Sequence, residues 1–314
     1  MQTVLSSPVS SKELWELPHL NTKIIKINNG DYIMKIIKDK RCIIGEGPIW
    51  NERDQKLYFT NGFGNEICIY DFDTERLETR YVKEGCAAFC FDTDNNLIVS
   101  RNDGVFILND DNTTTPIYDT EIYNLKNCND MKVGPDGAIY VGTLSSKTLE
   151  TGNESDGKLY RIDKSGDVRI ILDGLVTPNG MDWSIDESKF YYVGDQDNYL
   201  KEYDFDKKTG NVSYTGRFIK LPGVDGITID KNNNILAACW GGPYIAKINT
   251  TDMTVEDTII PPLCHPASCS FAGKNMDKLV VTTSSYMVNL RKSENSGFTF
   301  ILEGIGEGRK PYLF

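Results

Sequence analysis

Six times along the chain the same phrase recurs: an apolar strand, a turn made of Asp, Asn, Gly or Lys, a second apolar strand ending in small or polar residues, and then further strands. The copies read "PIWNERDQKLYFTNGFGNEICIYDFD", "AAFCFDTDNNLIVSRNDGVFILND", "MKVGPDGAIYVGTLS" with "GKLYRID", "MDWSIDESKFYYVGDQDNYLKEYDFD", "ITIDKNNNILAACWGGPYIAKIN", and "SCSFAGKNMDKLVVTTSS" with "GFTFILEG". The turns ERDQ, DTDNN, GPDG, DESK, KNNN and GKNMDK carry residues that tolerate tight or left-handed backbone. Starts fall roughly 40 to 50 residues apart, the length of a four-stranded blade. The pattern predicts an all-β chain, a six-bladed β-propeller with a central channel. A β-sandwich or a pair of small β-domains fits less well, because no Pro/Ser-rich linker interrupts the repetition.

Residues 41–314 are expected to form the propeller. Residues 1–40 stand outside the repeat as an N-terminal extension, and "KIIKINNGDYIMKIIKD" within them either closes the ring as an outer strand or packs on its side. Net charge of −11 argues against a nucleic-acid partner, since phosphate binding needs a basic face. No apolar run is long enough to span a membrane, and the first residues lack the basic region and apolar core of a secretory signal. The eight cysteines include no CxxC pair, which fits buried thiols in a reducing compartment better than a zinc site. The expectation is a cytoplasmic monomer.

Histidine-based catalysis has little to work with. His19 lies in the leader and His265 opens the last repeat, with no nucleophile elbow anywhere. The stronger signal comes from aligning the repeats on their first strand. Just ahead of it stand "GEGPIW", "NCNDMKV", "TPNGMDW" and "GVDGITI", placing Glu46, Asn129, Asn179 and Asp225 at one point of four blades. First strands line a propeller channel, so these four side chains converge at one end of it. Alone, each is an ordinary turn residue. In register, two carboxylates and two amides in a confined space are costly without a cation. An all-oxygen set suits a hard ion: Ca²⁺ first, with Mg²⁺, Mn²⁺ or, in a tight geometry, Zn²⁺ as alternatives. The flanking glycines are expected to let the backbone turn and to leave room beside the ion. The two other blades read "GCAAFC" and "CHPASCS" at this point, leaving an open side for a ligand. Trp50 and Trp183 read as packing between blades, whereas Trp240 in "ACWGGPY" lies near the channel mouth.

At these residues the chain resembles the SMP-30/gluconolactonase/luciferin-regenerating-enzyme family, six-bladed propellers that hydrolyse lactones with one divalent metal. The matching stretches are "GEGPIW", "CNDMKVGPDGAIYVGTL", "PNGMDWSIDESKFYYVGD", "EYDFD", "VDGITIDKNNNILAACWGG" and the closing "GIGEGRKPYLF". The resemblance implies that Glu46, Asn179 and Asp225 hold the metal, that Asp225 doubles as general base, and that Asn129 contacts substrate or water near the ion. It also points to two departures. Asn127 stands where members often carry an Arg that contacts sugar hydroxyls, and Ser146 and Lys147 stand where several carry a Glu. Asn127 and Lys147 are therefore the positions at which substrate recognition would differ from that of a sugar lactone. The implied function is metal-dependent opening of a small lactone or ester. Two other readings stay open at this point: hydrolysis of organophosphates, which a similar propeller with a Glu/Asn/Asn/Asp calcium site performs, and a non-catalytic metal- or ligand-binding propeller.

Overall fold

The computed structural model describes residues 22–27, 30–145, 155–194, 198–240, 242–261 and 264–314. Six antiparallel sheets stand around one channel. Blade 1 comprises β3 (Gly45–Asn51), β4 (Lys56–Asn61), β5 (Glu66–Asp71) and β6 (Arg76–Tyr81). Blade 2 is β7 (Ala88–Phe91), β8 (Leu97–Arg101), β9 (Gly104–Leu108) and β10 (Thr114–Pro116). Blade 3 is β11 (Cys128–Val133), β12 (Ile139–Thr143), β13 (Gly157–Ile162) and β14 (Val168–Leu175). Blade 4 is β15 (Met181–Trp183), β16 (Lys189–Val193), β17 (Tyr199–Asp206) and β18 (Asn211–Lys220). Blade 5 is β19 (Val224–Ile229), β20 (Asn234–Cys239), β21 (Tyr244–Asn249) and β22 (Thr254–Ile259).

Blade 6 takes strands from both ends of the chain. β23 (Pro266–Ala272), β24 (Lys278–Thr283) and β25 (Thr299–Glu303) are extended by β2 (Gly30–Ile37), whose Ile33 to Ile37 pair with Glu303 to Thr299, and then by β1 (Thr22–Ile27). Among the described residues no helix is long and apolar enough to cross a membrane.

Sequence and burial explain one another within each blade. Second strands such as "KLYFTN", "LIVSR" and "NILAAC" are buried on both faces, because a neighbouring blade covers each side. Outermost strands such as "RLETRY" and "NVSYTGRFIK" are mostly exposed and carry the charges. Aromatic rings fill the wedges between blades. Tyr58 meets Phe91 edge-on at 5.0 Å between blades 1 and 2, and Tyr140 meets Trp183 at 5.0 Å between blades 3 and 4. Trp50 and Trp183 are buried in these layers, as their positions suggest, and all eight cysteines are free and buried.

Each hairpin joining a first to a second strand has a residue at positive φ near its end, Gln55, Asn95, Gly137, Glu187, Asn233 or Met276, and the blade 6 hairpin has a second at Gly273. The asparagines and the glycines are the expected residue types. Gln55, Glu187 and Met276 are not, and local bonds hold their turns. Asn51 Oδ1 accepts from the Arg53 and Asp54 N–H groups, Ser184 Oγ accepts from Ser188 and Lys189, and the Met276 carbonyl accepts from Gly308.

That last bond belongs to a C-terminal strap over one end of the channel. Lys231 N–H donates to the Glu307 carbonyl, Gly308 bridges Asp230, and Phe314 exchanges backbone bonds with Phe91 and Thr93. The strap therefore runs from blades 5 and 6 to blade 2. From it Arg309 pairs with the buried Asp182, which also receives Lys132 Nζ at 2.6 Å. Burial pushes the Asp182 carboxyl upward, yet the two cations outweigh it and hold the group below the usual carboxylate range.

Candidate metal centre

At the other end of the channel, three inner strands share one irregularity. Glu46 lies opposite Thr60 and Ile49 opposite Tyr58, so three steps on β3 match two on β4. The same extra residue occurs between Cys128 and Met131 of β11 and between Val224 and Ile227 of β19. Each is a β-bulge at the residue singled out by the repeat alignment, and bulges re-aim side chains that a regular strand would alternate. Asn179, just ahead of β15, sits in the same kind of irregularity: its N–H donates to Val193 O at 2.8 Å while Val193 N–H donates to Gly180 O at 2.9 Å, so two residues face one.

Neighbouring blades tie these residues together. Asn129 Nδ2 donates to Pro178 O at 2.8 Å and to Asn179 Oδ1 at 3.0 Å. Gly180 N–H donates to the Asp225 carbonyl at 3.1 Å. The glycines act partly as expected. Gly47 adopts φ +52 within its bulge, a conformation open to glycine. At Gly180 and Gly226, however, the missing side chain admits the next blade rather than an ion. A Cβ there would stand 2.4 Å from Asp225 O and 2.3 Å from Ser268 Oγ, respectively.

The charges are uncompensated. Burial, then the Asp225 and Asp130 carboxylates, push Glu46 well above the usual carboxylate range. Burial and Asp130 push Asp225 up to about 8. Asp130 is itself raised by burial, against an opposing pull from Lys132. Asp130 was not singled out as a site residue from the sequence, although it stands where the other three motifs have glycine. Among the described residues no three His, Cys, Asp or Glu side chains form a metal-holding group by themselves. A cation bound here would therefore draw on the amides of Asn129 and Asn179 besides Glu46 and Asp225. That set fits a hard divalent ion, which would offset the burial and the repulsion that raise both carboxyls.

All four residues line a cavity of about 330 Å³ that also takes in Ile44, Phe63, Ala87, Asn102, Trp240 and Tyr286. Its volume is in the range of small-molecule sites. Asn127 is not part of this wall. It takes a left-handed turn at φ +56 and donates its N–H to the carbonyl of Asn102, which does line the wall. Lys147 lies outside the described residues, as do Ser146 and His19. His265 bonds Ser296 through Nδ1 at 3.1 Å and faces the Trp240 ring at 5.8 Å.

Residues 44–285 match the SMP-30/Gluconolactonase/LRE-like region. The chain belongs to this family. Among family relatives, pentonolactonase XacC of Haloferax volcanii is 27% identical over 255 residues, covering 79% of this chain and 84% of the relative. Human regucalcin is 25% identical over 292 residues, covering 90% of this chain and 98% of the relative. A solved structure of a luciferin-regenerating enzyme superposes with a TM-score of 0.80 at 25% identity, covering 90% of this chain and 99% of that one.

Proposed function

We propose that this chain is a divalent-metal-dependent hydrolase that opens a small lactone, with Glu46, Asn179 and Asp225 as cation ligands, Ca²⁺ being the first candidate. The observation that carries this reading is the uncompensated pair Glu46 and Asp225, set beside two asparagines at the open end of the channel. The names borne by family relatives, pentonolactonase among them, support the choice of a cyclic ester.

When bound, the cation supplies positive charge to the substrate carbonyl oxygen. The chain's own residues do the rest. Asn129, fixed by its bonds to Pro178 and Asn179, orients the ring or the attacking water. Asp225 takes a proton from that water as its oxygen bonds to the carbonyl carbon. The ring C–O bond then breaks, and its oxygen leaves with a proton as the hydroxyl of the product hydroxy acid. The eight free, buried thiols support a reducing, cytoplasmic setting, and the proposal takes the chain as a monomer.

The test is hydrolysis of a lactone panel with calcium and with chelator, in the wild type and in Asp225→Asn. Turnover lost on chelation and restored by calcium is expected. Turnover indifferent to both chelation and the substitution would overturn the proposal.

A further inference from the structure

The cavity has two unlike sides. Asn102, Asn129, Thr177 and Asn179, from blades 2 to 4, offer amides and a hydroxyl. Across from them, Ile44, Phe63 and Tyr286 of blades 1 and 6 offer hydrocarbon and aromatic faces. Phe63 and Tyr286 meet edge-on at 5.1 Å and are nevertheless 58% and 43% exposed. Large rings left open to water at the lip of a cavity mark a surface that something else covers.

Two polar groups nearby, Arg101 and Ser284, are already engaged. Arg101, the one cationic side chain in the described cavity wall, gives its guanidinium to Asp103, Glu84 and Thr114 and stacks over Phe106 at 4.4 Å. Ser284 Oγ, beside Tyr286, bonds the Ile43 carbonyl at 3.1 Å and accepts the Tyr286 N–H. A ring clothed in hydroxyls would set most of them against the Phe63 and Tyr286 rings, where only the Tyr286 phenol and Asn65 could meet them.

Resting on the hydrolase reading above, we infer that the substrate is a lactone bearing an apolar alkyl or aryl substituent rather than a polyhydroxylated sugar lactone. Its ester sits at the oxygen set and its substituent lies on Phe63 and Tyr286.

The experiment compares δ-valerolactone, its 6-pentyl derivative and glucono-δ-lactone as substrates with calcium present. The corresponding lactams serve as non-hydrolysed ligands, their binding followed by calorimetry. We expect kcat/KM for the pentyl lactone to exceed that for gluconolactone by at least about tenfold, the scale on which an apolar pocket rewards added methylenes. The pentyl lactam should bind more tightly than its hydroxylated counterpart by a similar factor. Phe63→Ala and Tyr286→Ala should each lose about tenfold more on the pentyl lactone than on the parent ring. Both residues are exposed, so neither change threatens the fold. Absence of turnover on every lactone would overturn the hydrolase reading alone, and lactam binding would still decide this one. Tighter binding of the hydroxylated lactam, or pentyl-lactam binding unaffected by either substitution, overturns it.

Discussion

The two ends of the channel are built from the same inner strands, yet they treat buried charge in opposite ways. At the strapped end Asp182 is buried and the chain brings two cations to it, Lys132 from blade 3 and Arg309 from the C-terminal strap. At the cavity end Glu46, Asp130 and Asp225 approach one another, and of the three only Asp130 feels a cation, Lys132, which does not overcome burial. A single residue, Met131, separates Asp130 from Lys132 along β11. The difference teaches that compensation inside the chain belongs to architecture, whereas charge left uncompensated at an open cavity is where an outside partner completes the structure.

The sharpest way to break this contrast is to remove compensation where the chain supplies it. Arg309→Ala leaves Asp182 buried with Lys132 as its one remaining cation and should cost about 3–5 kcal/mol in urea unfolding. Its effect on calcium affinity should be much smaller. A loss under about 1 kcal/mol would mean that the Arg309–Asp182 pair adds little net stability. The opposite manoeuvre is Asp225→Asn. Turnover should fall by about 10²- to 10³-fold, the scale for removing one charge-handling group from an active site. The metal-free protein should meanwhile gain about 1 kcal/mol, because a carboxyl that burial and Asp130 both disfavour in its charged form is gone. Stability unchanged or lower in that variant would show that the carboxylates were not in conflict.

Acid and base should act on the two ends in opposite senses. Asp225, raised to about 8, holds a proton in the metal-free folded state that an unfolded Asp releases near about pH 4. The unfolded chain thus binds fewer protons in that window, and metal-free stability falls as pH rises from about 4 to about 8. Saturating calcium binds the ionised form, so its stabilising effect should grow over the same window. Asp182 is held low, so its contribution is complete above about pH 4 and is lost as pH falls through its depressed value. Thermal unfolding from pH 3 to 9 should show the neutral-range slope become shallower in Asp225→Asn, with Glu46 and Asp130 retaining part of it, and the acid limb weaken in Asp182→Asn. One slope lost in both variants would mean that the ends are not independent.

The sequence displays the features that repeat and hides those that do not. Six blades and the in-register set Glu46, Asn129, Asn179 and Asp225 were legible because equivalent positions in a propeller converge by symmetry. Asp130 was not, since strict alternation along β11 turns it away from its neighbour Asn129, and the bulge that breaks the alternation leaves no mark on the periodicity. The Arg309–Asp182 pair joins residues 127 apart, one of them beyond the last repeat. Gln55, Glu187 and Met276 take left-handed turns through bonds that their own side-chain chemistry does not announce. Even the glycines were read by half, because space needed by the neighbouring blade and space needed by an ion look alike in a motif.

Gly47 offers the smallest and cleanest test of the cavity end. It has φ +52, and a Cβ placed there would meet nothing within 4 Å. Gly47→Ala therefore introduces backbone strain without a clash, unlike Gly226→Ala, whose methyl would run into Ser268. The left-handed region costs an L-residue about 1–2 kcal/mol, so the unfolding free energy from urea titration should drop by that much at unchanged slope. If the bulge aims Glu46 at a cation, part of the strain should relax by re-aiming it, and calcium affinity should fall by a few-fold in calorimetry. Full loss of stability with affinity untouched would mean that Glu46 is held in place by the burial around it rather than by the bulge.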